Sequence, residues 1–250
     1  MLTSANRSGL TVIGVGPGDP ELITVAAQRA IAAATVVAYP VAALERPGMA
    51  AQIAQPWLLP TQRQLPLLFP MVQEAEPRQQ AWQQAASAVA AEVRAGERVV
   101  FLCEGDCSLF ASSSYLLLAL KAEAPELPIR VIPGITAASA TAAAAAWPLA
   151  LQDEQLQVVP LPDQPDQARQ LLLTALEHGQ PMVLLKVGRR WRWLRPLLVE
   201  LELLESALYG ERVGWPEQLV VPAASVAAEE RPYFSLVLLR PAWPAVLPWG

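Results

Sequence analysis

Three glycine-bearing stretches hold the residues best suited to chemistry. "VIGVGPGDPELIT" (residues 12–24) places Gly14, Gly16 and Gly18 behind an apolar run and follows them with Asp19. "CEGDCSLFASSSY" (103–115) carries Glu104, Gly105 and Asp106, and "VIPGITAASATAAAAA" (131–146) carries Gly134 and Thr136. A dinucleotide fingerprint needs G-x-G-x-x-G, but Asp19 stands at its third glycine, and no G-K-[ST] completes a phosphate loop. Pro17 also lacks the N–H that a phosphate cradle would use. Bare backbone with small neighbours suits close approach of a ligand that is not a phosphate. A plain strand-to-helix turn capped by Asp19 is the alternative.

Other reactive side chains are sparse. Cys103 and Cys107 have no second pair to complete a zinc site and read as reduced thiols. The single histidine, His178, sits in "LEHGQP" and reads as a helix C-terminal residue. Asp106 reads either as a turn-capping carboxylate or as a ligand contact. "KVGRRWRWLR" (186–195) sets Lys186, Arg189, Arg190, Arg192 and Arg195 beside Trp191 and Trp193. Arginine forks suit carboxylates and aromatic faces suit a flat ring. The alternative is a solvated helix face with the tryptophans packed inward. Arg46 and Arg63 are further cations in an irregular segment. Nothing resembles a Ser/His/Asp set, and no metal site is expected.

These turns need strands ahead of them and helices behind. Short apolar runs at residues 11–15, 34–39, 98–104 and 129–134 alternate with helical patterns at 21–33, 77–94 and 113–124. That alternation predicts a parallel sheet in βαβ units. Residues 41–72 are broken by five prolines and predict loops, with a strand near 65–69. A second set of strands is expected at 156–162, 181–188, 207–213 and 233–240, with helices at 166–177 and 191–203. The expected organisation is an α/β domain over residues 1–137 and another over 138–250. The sheet is mostly parallel in the first and mixed in the second, and the alanine-rich helix at 136–147 bridges the two. Glycine turns at the carboxyl ends of parallel strands gather on the edge where open α/β sheets bind ligands.

Bulk properties narrow the function classes. The chain has 250 residues, 53% hydrophobic and 16% charged, with a net charge of −5. The pI is about 5.0 and the mean hydropathy +0.29. An acidic chain does not suit nucleic acid, which calls for a basic face. No stretch reads as a membrane span or a signal peptide, so a cytoplasmic location is expected. An anionic substrate would have to be met by a local cation cluster.

Taken together, the three glycine stretches resemble, in order and across most of the chain, the successive motifs of the tetrapyrrole (corrin/porphyrin) methylase family. Within it, "TVVAYP", "FPM", "VLLKVGRR", "GERVG" and "PYFSLVLL" are most similar to the precorrin-2 C20-methyltransferases of cobalamin synthesis. The resemblance implies two α/β domains with S-adenosylmethionine folded in a cleft between them and S-adenosylhomocysteine as product. It implies that Pro17, Gly105, Asp106, Leu109, Thr136, Ala137, Leu185, Lys186 and Gly214 border this cofactor. It also implies a tetrapyrrole polycarboxylate substrate near Asp19, Arg46, Met71, Arg189 and Arg190, and a homodimer.

Two residues depart from the family's "GDPSLY": Cys107 replaces its proline and Phe110 its tyrosine. Pro40 stands where the uroporphyrinogen-III methylases carry an aspartate, which favours the C20 subgroup. Methyl transfer from a sulfonium is an in-line displacement that needs orientation rather than a side-chain nucleophile, and no catalytic base is assigned. Action on another corrin carbon, or binding without turnover, are the alternatives.

Overall fold

The computed structural model describes residues 8–45, 48–72 and 74–243. The chain forms two compact units, Met1–Thr136 and Ala137–Gly250. The first contains β1 (Gly9–Gly14), α1 (Val25–Ala33), β2 (Val36–Val41), α2 (Met49–Ala54) and β3 (Arg63–Leu68). It continues with α3 (Ala75–Arg94), β4 (Arg98–Cys103), α4 (Ser112–Glu123) and β5 (Ile129–Ile132). The strands lie in the order β3-β2-β4-β1-β5 and every pairing is parallel. The chain first runs outward from β1 to β3, then turns back to insert β4 beside β1 and ends at β5. β1 is therefore flanked by the strands that carry the other two glycine turns.

Alternation along the strands selects the faces. Leu10, Val12, Val36, Ala38, Val99 and Phe101 join one apolar cluster with α3 and α4. The buried positions of α3, Ala81, Ala85, Ala86, Val89, Ala90 and Val93, follow helical spacing and form a thin stripe that lets the helix lie close to the sheet. α1 and α2 cover strands of the same sheet. The segment expected to hold loops and short pieces contains the short helix α2, whose Ala50, Ile53 and Ala54 are buried, and a 3₁₀ turn at Gln55–Trp57.

The second unit contains α5 (Ala137–Ala144), β6 (Gln157–Pro160), α6 (Pro165–Glu177), β7 (Met182–Leu185) and α7 (Trp191–Glu200). β8 (Ala207–Glu211), β9 (Leu219–Pro222) and β10 (Ser235–Leu239) complete it. The order is β6-β7-β10-β8-β9, with β6 and β7 parallel and the other pairs antiparallel. α5 packs on this sheet: Ala138 and Ala142 cluster with Val183, Leu208, Leu236 and Leu238. Gly210 permits that approach, because a Cβ there would lie 2.7 Å from Thr141 Cγ2.

β9 was not expected, since four residues ending in proline carry almost no periodic signal; its pairing with β8 supplies what the pattern lacks. α7 stops three residues short of its expected end. Glu202 takes φ +58°, and Leu203 N–H reaches back to Leu198 O at 2.8 Å, a left-handed helix stop made without glycine. Among the described residues, no helix is long and apolar enough to cross a membrane.

One buried ion pair fastens the end of β10. Arg240, with its side chain 0% exposed, donates to both oxygens of Glu154 at 2.6 and 2.7 Å. The Arg240 bond holds the Glu154 carboxyl below its ordinary value of 4.5. A lowered folded-state value means that the pair's stabilisation is complete above about pH 4.5 and is lost as pH falls through the folded value. Glu154→Ala strands the buried guanidinium and should cost about 3–5 kcal/mol. Chemical denaturation of the two proteins across acid pH checks this: the variant should be weaker at neutrality, and the gap should close toward low pH.

Candidate active site

The carboxyl ends of β1, β4 and β5 meet through bare backbone. A Cβ at Gly14 would lie 2.6 Å from both Gly105 O and Gly134 N, and one at Gly134 would lie 2.2 Å from Gly105 O. Neither position has room for any side chain. Gly16 and Gly105 exchange hydrogen bonds in a two-residue bridge: Gly16 N–H donates to Gly105 O at 3.2 Å and Gly105 N–H to Gly16 O at 2.8 Å. Both have positive φ, 78° and 64°. On its other side Gly105 is open, since the nearest atom to a Cβ there is Ile135 O at 3.9 Å. The three strand ends thus form a continuous main-chain floor with space above Gly105, as a ligand held by backbone requires.

The acids divide by their partners. Asp19 accepts from Glu21 N–H at 2.8 Å and caps a short 3₁₀ turn, the structural role weighed for it. Asp106 ties two turns together: Oδ1 accepts from Ser108 N–H at 2.8 Å and from its hydroxyl, and Oδ2 accepts from Gly134 N–H at 3.0 Å. Burial pushes the Asp106 carboxyl up, but these hydrogen bonds outweigh it and hold it below the usual range. Glu104 is pushed up to about 7 by burial. It therefore titrates near neutrality beside the floor, a property that its place in the sequence did not signal. Cys103 and Cys107 are buried and reduced, with Ser113 Oγ bonded to Cys103 Sγ at 3.3 Å and to Cys107 O at 2.7 Å. Leu109, Thr136 and Pro17 lie along the same three turns, and Leu109 is exposed. Ala137 opens α5.

In the second unit, Leu185 ends β7 and Lys186 follows it with φ +58°. Gly214 lies in the turn after β8, with φ +85° and its N–H bonded to Gln218 Oε1 at 2.7 Å. The arginine cluster separates by role. Arg189 is exposed. Arg190 is turned inward, donating to the carbonyls of Leu161, Lys186 and Val187 and to Asp163. Arg192 pairs with Glu230 at 3.0 Å, and Arg195 donates to Ala224 O at 3.2 Å. Trp191 is fully buried, with its indole N–H on Ala227 O at 2.9 Å, so this tryptophan belongs to the core.

In the first unit Met71 is 75% exposed, and Arg63 pairs with Glu92. Arg46 lies outside the described residues. His178 ends α6, its ring Nδ1 2.8 Å from Thr174 O. A depression of about 420 Å³ beside it, lined by Asp153, Glu154 and Pro181, lies at the amino end of β7, opposite the Lys186 turn. Among the described residues no cluster of acidic, histidine or cysteine side chains could hold a metal ion.

A parallel sheet with a glycine floor at its strand ends, followed by a mixed α/β unit, defines a class of two-domain α/β proteins. The family model for tetrapyrrole (corrin/porphyrin) methylases matches residues 9–227, and the chain belongs to that family. It is 36% identical over 239 residues to a precorrin-2 C(20)-methyltransferase of Sinorhizobium sp, covering 92% of this chain and 94% of that one. It is 30% identical over 236 residues to a cobalt-precorrin-2 C(20)-methyltransferase of Salmonella typhimurium, covering 94% and 97%. The crystal structure of the methyltransferase CobJ superposes with a TM-score of 0.65 at 28% identity, over 97% of this chain and 98% of that one.

The floor makes a direct prediction. Gly134→Ala drives a methyl into Gly105 O and must separate the turns, so it should destabilise the first unit by about 1–3 kcal/mol, the range for overpacking. Ala at Gly96, where nothing lies within 4 Å, meets no such obstacle, although its φ of +93° is itself unfavourable. Thermal unfolding together with titration of S-adenosylhomocysteine should show weakened binding only for Gly134→Ala.

Proposed function

We propose that this protein transfers a methyl group from S-adenosylmethionine to C20 of precorrin-2 or its cobalt-loaded form in cobalamin biosynthesis. The observation that carries the reading is 36% identity to a precorrin-2 C(20)-methyltransferase along 92% of the chain. The backbone floor at Gly14, Gly105 and Gly134 is the local feature that suits it.

S-adenosylmethionine, when bound, supplies a methyl already activated by the sulfonium charge. In the first unit, Pro17, Gly105, Asp106, Leu109 and Thr136 are the residues that would border it; in the second unit, taken by itself, the candidates are Ala137, Leu185, Lys186 and Gly214. Open space above Gly105 and backbone contact between Gly14, Gly105 and Gly134 fit a cofactor held by main chain. The residues' task is alignment, which can supply roughly 7–11 kcal/mol of the barrier in a displacement of this kind. Bound S-adenosylmethionine would supply the methyl and leave as neutral S-adenosylhomocysteine, and the proton displaced from C20 would pass to water. Outward-facing Arg189 meets a substrate carboxylate, with Asp19, Met71 and Arg46 on the tetrapyrrole side.

Incubation with S-adenosylmethionine and each macrocycle, followed by mass spectrometry, tests the reading. One methyl gained on precorrin-2 or cobalt-precorrin-2 is expected, with one S-adenosylhomocysteine per turnover. No methyl on either would overturn it, and a methyl at another carbon would reassign the substrate position.

We also infer a cytoplasmic homodimer. Leu118 is 65% exposed and Tyr115 45%, and both lie on α4, where Tyr115 stacks on Trp82 of α3 at 4.1 Å. Apolar surface of this kind is typical of a covered face. Sedimentation equilibrium should return twice the chain mass of 27.0 kDa, and a monomer at micromolar concentration would refute the inference.

A further inference from the structure

The turn after β7 is held from two directions. Leu185 O accepts from Leu161 N–H at 2.9 Å, and the N–H groups of Val187 and Gly188 donate to Ser235 O and Oγ at 3.0 and 2.9 Å. Arg190 closes the other side. Its Nε donates to Val187 O at 3.3 Å, one terminal nitrogen reaches Leu161 O and Asp163 Oδ1, and the other reaches Lys186 O.

Lys186 is the strained member of this turn. Its φ of +58° is a left-handed conformation that residues with a β-carbon rarely adopt, whereas the same sign at Gly188 (φ +53°) carries little penalty. Such strain persists only where its surroundings over-determine it. Here the guanidinium grips the carbonyl of the strained residue and ties it to the carboxyl end of the neighbouring parallel strand, β6. The fork serves four acceptors, three carbonyls and a carboxylate, from three separate nitrogens, whereas an ammonium has only three donors on a single nitrogen. With its side chain 17% exposed, Arg190 is poorly placed to be a mobile substrate contact.

We infer that Arg190 is a positioning residue that holds the Leu185–Lys186 backbone in its cofactor-binding shape, instead of a partner for substrate carboxylates. This rests on the reading that Leu185 and Lys186 border S-adenosylmethionine. It replaces the substrate contact expected for Arg190 from sequence and leaves that contact to Arg189.

The test is a split between the two ligands. In Arg190→Lys, which keeps the charge but loses the fork, the Kd for S-adenosylhomocysteine by calorimetry should rise about tenfold, the scale of one charged hydrogen bond lost. KM for the tetrapyrrole at saturating S-adenosylmethionine should stay within about twofold, the mark of a residue that does not touch that substrate. Lys186→Gly removes the left-handed penalty, so adding it to Arg190→Lys should recover about threefold of the lost affinity and leave the remainder, which reflects the carbonyl bonds still missing.

An unchanged Kd in Arg190→Lys, or a raised tetrapyrrole KM with the Kd unmoved, would overturn the inference. Should Arg190→Lys fail to fold, Arg190→Lys/Lys186→Gly is compared with Lys186→Gly alone. Weaker binding in the double variant supports the role, and equal binding defeats it. No binding of S-adenosylhomocysteine by the wild-type protein overturns the cofactor reading itself, and this inference with it.

Discussion

Close contact between three α-carbons without side chains is the constraint on which the first unit depends. Gly14, Gly105 and Gly134 come from strands far apart in sequence, yet backbone atoms occupy the volume that β-carbons of Gly14 and Gly134 would fill, while Gly105, at φ +64°, stays open on its other side. The parallel order β4-β1-β5 makes this possible by placing the three carboxyl ends side by side. Asp106 then fixes the distance between two of the turns by accepting from Gly134 N–H. The surface that these turns present is consequently largely peptide backbone, with the Glu104 carboxyl beside it. That suits a reaction whose electrophile arrives activated and needs only aiming.

The second unit reaches a similar end by different means. Its strand-end turn is held in part by a buried cation, which takes up carbonyl oxygens while Ser235 takes up N–H groups. A positive-φ lysine stands where a glycine would be expected, and the neighbouring hydrogen bonds supply the missing conformational support. The Glu154–Arg240 pair uses the same logic at the opposite end of the strands. There a guanidinium withdrawn from water is tolerated because a carboxylate meets it with two bonds.

Much of the architecture was readable from pattern. Apolar runs bounded by Gly and Pro and alternating with helical spacing located β1, β2, β4 and β5 to within about two residues, whereas the mixed order of the second sheet was implied by the family resemblance. The misses share a cause. β9 is too short to show a period, and α7 stops at a non-glycine left-handed residue. In each case the deciding term was a partner supplied by another part of the chain.

Motif order determined the family and composition the net acidic charge, because these depend on residue identity and local spacing. Tertiary structure decided how each charged side chain is used. Asp19 became a turn cap, Asp106 a brace between turns, Glu104 a carboxyl titrating near 7 and Arg190 an inward clamp beside outward Arg189. The physical reason is that an ionisable group's role follows from its burial and its hydrogen-bond partners, and those come from residues distant in sequence that only folding brings within reach.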